Sequence, residues 1–237
     1  MVSGAVDAGL DTVGFTDHCS LTAVMRAEKL LWNRNFDRTY EQRRAALDIL
    51  DDRHDITLQD GVEMDYEPGL EADIERFLDT AGFDYAIGSV HYTDGREVFP
   101  RESFAEMSPA ETRGFVDTYY DTIETLIESE LFEIVGHVDR IEWHPALRGL
   151  TTESHHRQVA AACANSRTVP EINASHLTSD PAMYHPSRPF IDVLREYDVQ
   201  FTVGTDSHEP GAFGPRREAL ETLLAERGVD PVDPVGL

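Results

Sequence analysis

A single lysine, Lys29, stands among the 20 basic residues of this 237-residue chain, and it has only two cysteines, Cys19 and Cys163. Two thiols this far apart exclude a disulfide framework or a zinc ribbon and fit free thiols in a cytoplasmic protein. The one lysine lies outside any predicted strand, which disfavours a barrel hydrolase built on a carboxylated-lysine metal bridge. No apolar run approaches the roughly 18 residues of a transmembrane helix. The N-terminal stretch Met1 to Leu10 carries an acid and no basic segment, so it does not read as a signal peptide. Also missing are a Gly-x-Ser-x-Gly elbow, a Walker loop and a Gly-x-Gly-x-x-Gly turn.

Basic charge is scarce as well. Asp and Glu number 45, and the formal net charge is −25. Without a basic surface to neutralise phosphates, a long nucleic-acid partner is disfavoured. The acid blocks, such as Leu47 to Asp52 and Asp117 to Glu133, fall inside helical patterns and read as solvated faces. Adaptation to high salt is the preferred account of such a charge, because screening removes the self-repulsion, against the alternative of a merely acidic mesophilic protein. The 41% apolar content supports a packed core. The length suits one α/β barrel, and with no low-complexity linker we expect a single domain over residues 1–237.

What the chain does have is six short β-like runs, each ending in a residue that binds metals. They are Thr12–His18, Gln59–Glu63, Ala86–His91, Ile134–His137, Pro170–Asn173 and Thr202–His208. Helical periodicity fills the intervals over 34–52, 70–81, 108–131, 151–165, 189–197 and 215–227, with Ser108-Pro109 as a helix start. Repeated β-α order calls for a parallel sheet and, repeated this often, for a barrel. In such barrels the active site lies at the C-terminal strand ends. Residues 2–10 resemble the back half of a helix, so the chain begins in the middle of a unit, and 231–237 reads as a ragged end.

The sharpest local signal is Thr205-Asp206-Ser207-His208. Were the strand to continue, Asp206 and His208 would face one side and could ligate one metal or two adjacent ones. Glu63, at a buried strand end, needs a partner, and two metal ions bridged by its oxygens would supply one. Asp65 and Glu67 compete with it and are expected to be exposed. With Glu63, His91 and His137 make a three-ligand set for zinc, manganese or iron. His18 pairs with His208 at a further metal, with Asp17 orienting it. His54, His144, His155, His156, His176 and His185 fall in loops or helix starts and are left as surface or substrate-shell candidates.

The stretches Gly14-Phe-Thr-Asp-His18, Gly61-Val-Glu-Met-Asp-Tyr-Glu-Pro-Gly69, Asp84-Tyr-Ala-Ile-Gly-Ser-Val-His91, Gly136-His-Val-Asp139, Glu171-Ile-Asn173 and Gly204-Thr-Asp-Ser-His208 occur in order over about residues 1–215. Together they resemble the motif series of the polymerase-and-histidinol-phosphatase (PHP) superfamily, most closely its histidinol-phosphatase branch. The resemblance implies an α/β fold, a distorted (β/α)7 barrel, holding two to three divalent ions (zinc, manganese or iron). It places Glu63 between two metals, His91 and His137 on one of them, Asp206 on the other, and His18 with His208 on a third. The family's first-strand His-x-His, which would share the metal of Asp206, has no counterpart here. Met1 aligns within the helix after that strand, about 15 to 20 residues in. A start codon placed too far downstream would explain this, since every later ligand is intact. As given, the chain should have an open barrel seam with unpaired strand edges.

The activity implied is metal-dependent hydrolysis of a phosphomonoester, L-histidinol phosphate, in histidine biosynthesis. Asp206 and His208 would act through a metal-bound hydroxide. Arg140, Arg148 and Arg188 are candidates for phosphate contact, against the alternative of surface ion pairs. An acidic side chain is expected to meet the substrate's amine and imidazolium. Two other readings compete: a phosphoesterase of the same fold acting on a nucleotide or another small phosphate ester, and a non-catalytic metal-binding remnant. The partner expected is a small phosphorylated substrate, with no long nucleic acid and no membrane; nothing in the sequence specifies an oligomeric state.

Overall fold

A computed structural model describes residues 1–23, 26–27, 36–98, 104, 106–179 and 182–235. Lys29 and the first two residues of the 34–52 helix lie outside them. The described elements run α1 (Val2–Asp7), β1 (Thr12–Cys19), α2 (Phe36–Asp51), β2 (Thr57–Asp65), α3 (Glu71–Ala81), β3 (Tyr85–Ser89), β4 (Tyr92–Thr93), β5 (Arg96–Glu97) and α4 (Pro109–Glu128). They continue with β6 (Ile134–Val135), α5 (Glu153–Ala164), β7 (Val169–Asn173), α6 (Arg188–Glu196), β8 (Thr202–Gly204) and α7 (Phe213–Arg227). Short 3-10 turns occupy Arg140–Trp143 and Pro210–Ala212. No described helix is long and apolar enough to cross a membrane.

Six strands make one sheet in the order β1-β2-β3-β6-β7-β8, every pair parallel. Strand alternation sorts its two faces. Val62, Met64, Ala86, Val90, Val135 and Ile172 point outward into the main core, where they meet Tyr119, Ile123 and Leu126 of α4, Val159 of α5 and Phe190, Ile191 and Leu194 of α6. The opposite parity points inward. Tyr85, Ile87, Ile134 and Val169 form a separate interior cluster at the floor. Glycines let Tyr85 cross that floor: a Cβ at Gly14 would overlap its hydroxyl and one at Gly61 would crowd its ring. Following the same parity upward from this floor leads to Glu63, Asp65, Ser89, Glu171 and Asn173.

Among the described residues β1 pairs only with β2, and β8 only with β7, so the sheet has two edges. A cavity of about 610 Å³ opens between them, lined by Gly14, Thr16, His18, Glu63, Tyr85, Glu171, Gly204 and Asp206. Val203 on β8 is exposed beside it. α1 packs against the Pro210–Ala212 turn, so closely that a Cβ at Gly4 would strike Pro210, while Arg217 of α7 binds the carbonyls of Ala8 and Gly9.

Several local expectations need correction. The C-terminal tail is not ragged throughout: the Val232 amide bonds the Phe201 carbonyl at 2.8 Å, and Val232 packs under the interior cluster. A hairpin, β4–β5, follows His91, turning through Asp94 and Gly95, both at positive φ; Asp-Gly is a strong hairpin signal that the sequence reading passed over. Three strands are shorter than read. β3 ends at Ser89, β6 at Val135 and β8 at Gly204, leaving His91, His137, Asp206 and His208 on the loops beyond. His137 and Asp206 have φ of 23° and 47°, values that end an extended strand. The α4 start is as expected: Ser108 and Glu111 form a reciprocal capping box with Pro109 at the first position, worth about 1 kcal/mol.

Candidate metal centre

The register of β1 on β2 sets His18 directly beside Glu63. His18 Nδ1 lies 3.3 Å from Glu63 Oε2, while His91 Nε2 and His137 Nε2 lie 3.5 and 3.2 Å from Oε1. Ser89 Oγ donates to the same Oε1 at 2.7 Å. One ligand atom from each of His18, Glu63 and His91 falls within 4.8 Å of the others. The three rings also meet one another: His18 and His137 each sit edge-on to His91 with centroids 5.2 Å apart. His208 joins more loosely, 6.4 Å from His18.

Burial by itself would raise the Glu63 carboxyl, but the charge of His18, the His137 hydrogen bond and the charge of His91 outweigh it and hold the group well below its ordinary value. His137 goes the other way: burial, against the pull of Glu63, lowers it to about 4. For His91, burial lowers the imidazole while the hydrogen bond and charge of Asp65 raise it further, for a net rise.

Asp65 is the residue the sequence reading misjudged. It is buried rather than exposed, and its Oδ1 lies 2.6 Å from His91 Nδ1. The reason is parity: Asp65 is two residues beyond Glu63 and shares its inward face. This contact assigns the proton of neutral His91 to Nδ1 and leaves a lone pair on Nε2 facing the Glu63 carboxylate. Two acceptors then oppose each other, an arrangement that calls for a proton or a metal ion. The buried Nδ1 of His137 has no hydrogen-bond partner among the described residues. Imidazole and carboxylate donors of this kind suit zinc or a similar divalent ion, so the residues present fit such a group.

Asp17 has the opposite parity to His18. Its carboxylate is exposed and bonds Arg43 of α2 at 2.9 Å, so it does not orient the site's histidines. Asp206 and His208 come together differently from an extended strand: the turn at Asp206 brings His208 Nδ1 3.0 Å from the Asp206 carbonyl and 3.5 Å from its Oδ1.

Beside Asp206 lies a second carboxylate, Glu171, which the sequence places within a motif but to which it assigns no role. Glu171 is buried, accepts from Asn173 Nδ2 at 3.0 Å and from the His137 amide at 3.4 Å, and Asn173 Nδ2 also reaches Asp206 Oδ2 at 3.4 Å. Gly204 on the next strand makes room for it, since a Cβ there would overlap Glu171 Oε1. Burial, followed by the charge of Asp206, pushes the Glu171 carboxyl up to about 8.

The three candidate arginines are placed apart. Arg140 is near enough to influence the charge of His91 and His137. Arg148 bonds the carbonyls of Glu142 and Trp143, and Arg188 is exposed, 4.0 Å from Asp192 on its own helix. Arg216, unanticipated, binds the carbonyls of Thr205 and Asp206. Of the remaining histidines, His144, His155, His156 and His185 are buried rather than on the surface. His144 meets the Phe104 ring, His155 stacks on Tyr120 and His156 on Phe190.

Comparison with known proteins identifies a family and a fold. A protein of Deinococcus radiodurans named "Probable histidinol-phosphatase" is 28% identical over 213 residues, covering 89% of this chain and 79% of that one. The crystal structure of HisK from Listeria monocytogenes superposes with a TM-score of 0.74 at 18% identity, covering 90% of each chain. Histidinol phosphate phosphatase from Lactococcus lactis, solved with zinc, L-histidinol and phosphate, gives 0.75 at 19% identity over 98% of this chain and 87% of its own. At these identities the two structures establish a shared fold, the distorted α/β barrel. The PHP domain model matches residues 1–174, and the chain therefore belongs to the PHP domain family.

Proposed function

We propose that this protein is a metal-dependent phosphomonoesterase that hydrolyses L-histidinol phosphate to L-histidinol and phosphate. The observation that carries the reading is the Glu63 carboxylate, buried at parallel strand ends and faced by the imidazoles of His18, His91 and His137. The name of the Deinococcus relative and the ligands of the Lactococcus structure supply the substrate. Glu63, His91 and His137 would hold one ion, His18 and His208 another, and Asp206 a third, with zinc, manganese or iron as the ions. Bound there, such ions supply an activated water and neutralise phosphate charge.

The chain's own residues do the rest. Ser89 and Asp65 fix the orientation of Glu63 and His91, so the lone pairs aim into the site without reorganisation. Arg140 and Arg216 bring positive charge to the rim of a protein whose net charge is −25, and so favour a dianionic ester. The two buried thiols fit the cytoplasm, and the acidic surface fits high salt.

The test is phosphate release by the purified protein loaded with zinc or manganese, at low and at molar KCl. Histidinol phosphate should be turned over at least tenfold more efficiently than a nucleoside bisphosphate. Preference for the nucleotide, or no turnover of either with metal bound, would overturn the reading.

A further inference from the structure

Away from the Glu63 cluster a second chain of polar side chains climbs to the same rim. Asp139, fully buried, accepts the Ser187 amide on Oδ2 and meets His185 Nδ1 with Oδ1, both at 2.7 Å. His185, also fully buried, is pinned by backbone hydrogen bonds to Asn173 in both directions, and its Nε2 lies 3.4 Å from His176 Nδ1. His176 is half-buried and stacks on Trp143, with centroids 3.8 Å apart and planes 11° from parallel.

Proton positions along the chain follow from its fixed end. The Asp139 carboxylate only accepts, so His185 donates from Nδ1, and in the neutral ring its Nε2 carries the lone pair. That lone pair accepts from His176 Nδ1–H. The neutral His176 is thereby left with a bare Nε2, a hydrogen-bond acceptor. Burial, then the nearby His185 and Arg140, lower His176 to about 4, so the ring is neutral in the physiological range.

His176 is on the loop after β7, three residues past Asn173, and Trp143 ends the turn after β6. Asp206, Arg140 and Arg216 all lie near enough to act on the charge of His176, and Arg140 acts equally on His91 and His137. His176 thus stands at the same end of the sheet as the metal ligands, on the loop that leaves β7 and within electrostatic reach of Asp206. We propose that His176, braced by Trp143 and held in tautomer by His185 and Asp139, recognises the nitrogen-bearing half of the substrate by accepting a hydrogen bond from its ammonium or imidazole N–H. This rests on the histidinol-phosphate reading and adds its specificity element. A neutral acceptor takes the role for which a carboxylate was expected.

The experiment compares the metal-loaded protein with His176→Phe, which keeps a ring on Trp143 but has no acceptor, and His176→Gln, whose amide oxygen can accept. KM for histidinol phosphate and Ki for L-histidinol should each rise at least tenfold in His176→Phe and recover partly in His176→Gln. The change in kcat/KM should be at least ten times larger for histidinol phosphate than for p-nitrophenyl phosphate, which has no N–H donor. Equal losses on both esters, or an unchanged Ki for L-histidinol, would overturn the assignment while leaving the phosphatase reading intact. If the unsubstituted protein cleaves p-nitrophenyl phosphate but not histidinol phosphate, both fail together.

Discussion

On the β1–β3 side of the rim, Glu63 is met by His18, His91 and His137 and stays ionised. On the β7–β8 side, Glu171 is met by Asn173, the His137 amide and the nearby charge of Asp206, and is pushed up to about 8. Both carboxylates are buried to a similar degree. What separates them is the company each keeps. The first half balances its own charge, because His91, raised by Asp65 and Glu63, is the imidazole most ready to take up a proton when no metal is bound. The second half gathers acids and has to take up a proton or a cation. Each half ends in an edge strand of the described sheet, β1 on one side and β8 on the other, so it is the neighbouring charges and not the topology that set the two apart.

Replacing Glu63 by Gln strikes the balanced half hardest. The imidazoles lose their counter-charge and the candidate metal centre loses its central carboxylate. Turnover should fall at least 1000-fold, about 4 kcal/mol of transition-state stabilisation. Metal content measured by mass spectrometry should fall with it. Full metal occupancy with activity within tenfold of the parent would show that the balance is not organised around Glu63.

The unbalanced half yields a stability prediction for the chelated protein. Glu171 holds its proton more tightly folded than unfolded, so the stability it contributes is fully present below about pH 4.5 and lost as pH rises toward its folded value of about 8. The loss should be on the order of 5 kcal/mol. Denaturant unfolding at pH 5, 7 and 9 should show Glu171→Gln abolishing this part of the slope and stabilising the protein at pH 9. Parallel pH profiles for parent and variant would sink the comparison.

The contrast between the halves also marks what could be read in advance. Glu63, His91 and His137 stood out because apolar runs ended on them, and residue type at a strand end needs no coordinates. Strand parity could have found Asp65, two residues from Glu63, and excluded Asp17, one residue from His18. Glu171 was harder: it sits inside a motif whose last residue, Asn173, drew the attention, and its burial depends on space left by Gly204 on another strand. The turn at Asp206 and the docking of Val232 beneath the floor depend on contacts between distant segments, and local patterns do not encode them.

Asp65→Asn makes the gentlest break, on the balanced side. An Asn oxygen can still accept from His91 Nδ1, so the ring keeps its place and only the charge behind it goes. His91 should become less basic, because the Asp65 hydrogen bond and charge are what raise it against burial. A less basic imidazole is a poorer ligand, and loss of such a supporting carboxylate weakens metal binding roughly 10- to 100-fold, about 1.4 to 2.7 kcal/mol. Chelator competition measures the affinity, and the His91 ring protons followed by NMR in the chelated protein report the titration. If affinity fell but His91 titrated as before, Asp65 would be acting by position alone, and the charge-balance account of this half would have to give way to a steric one.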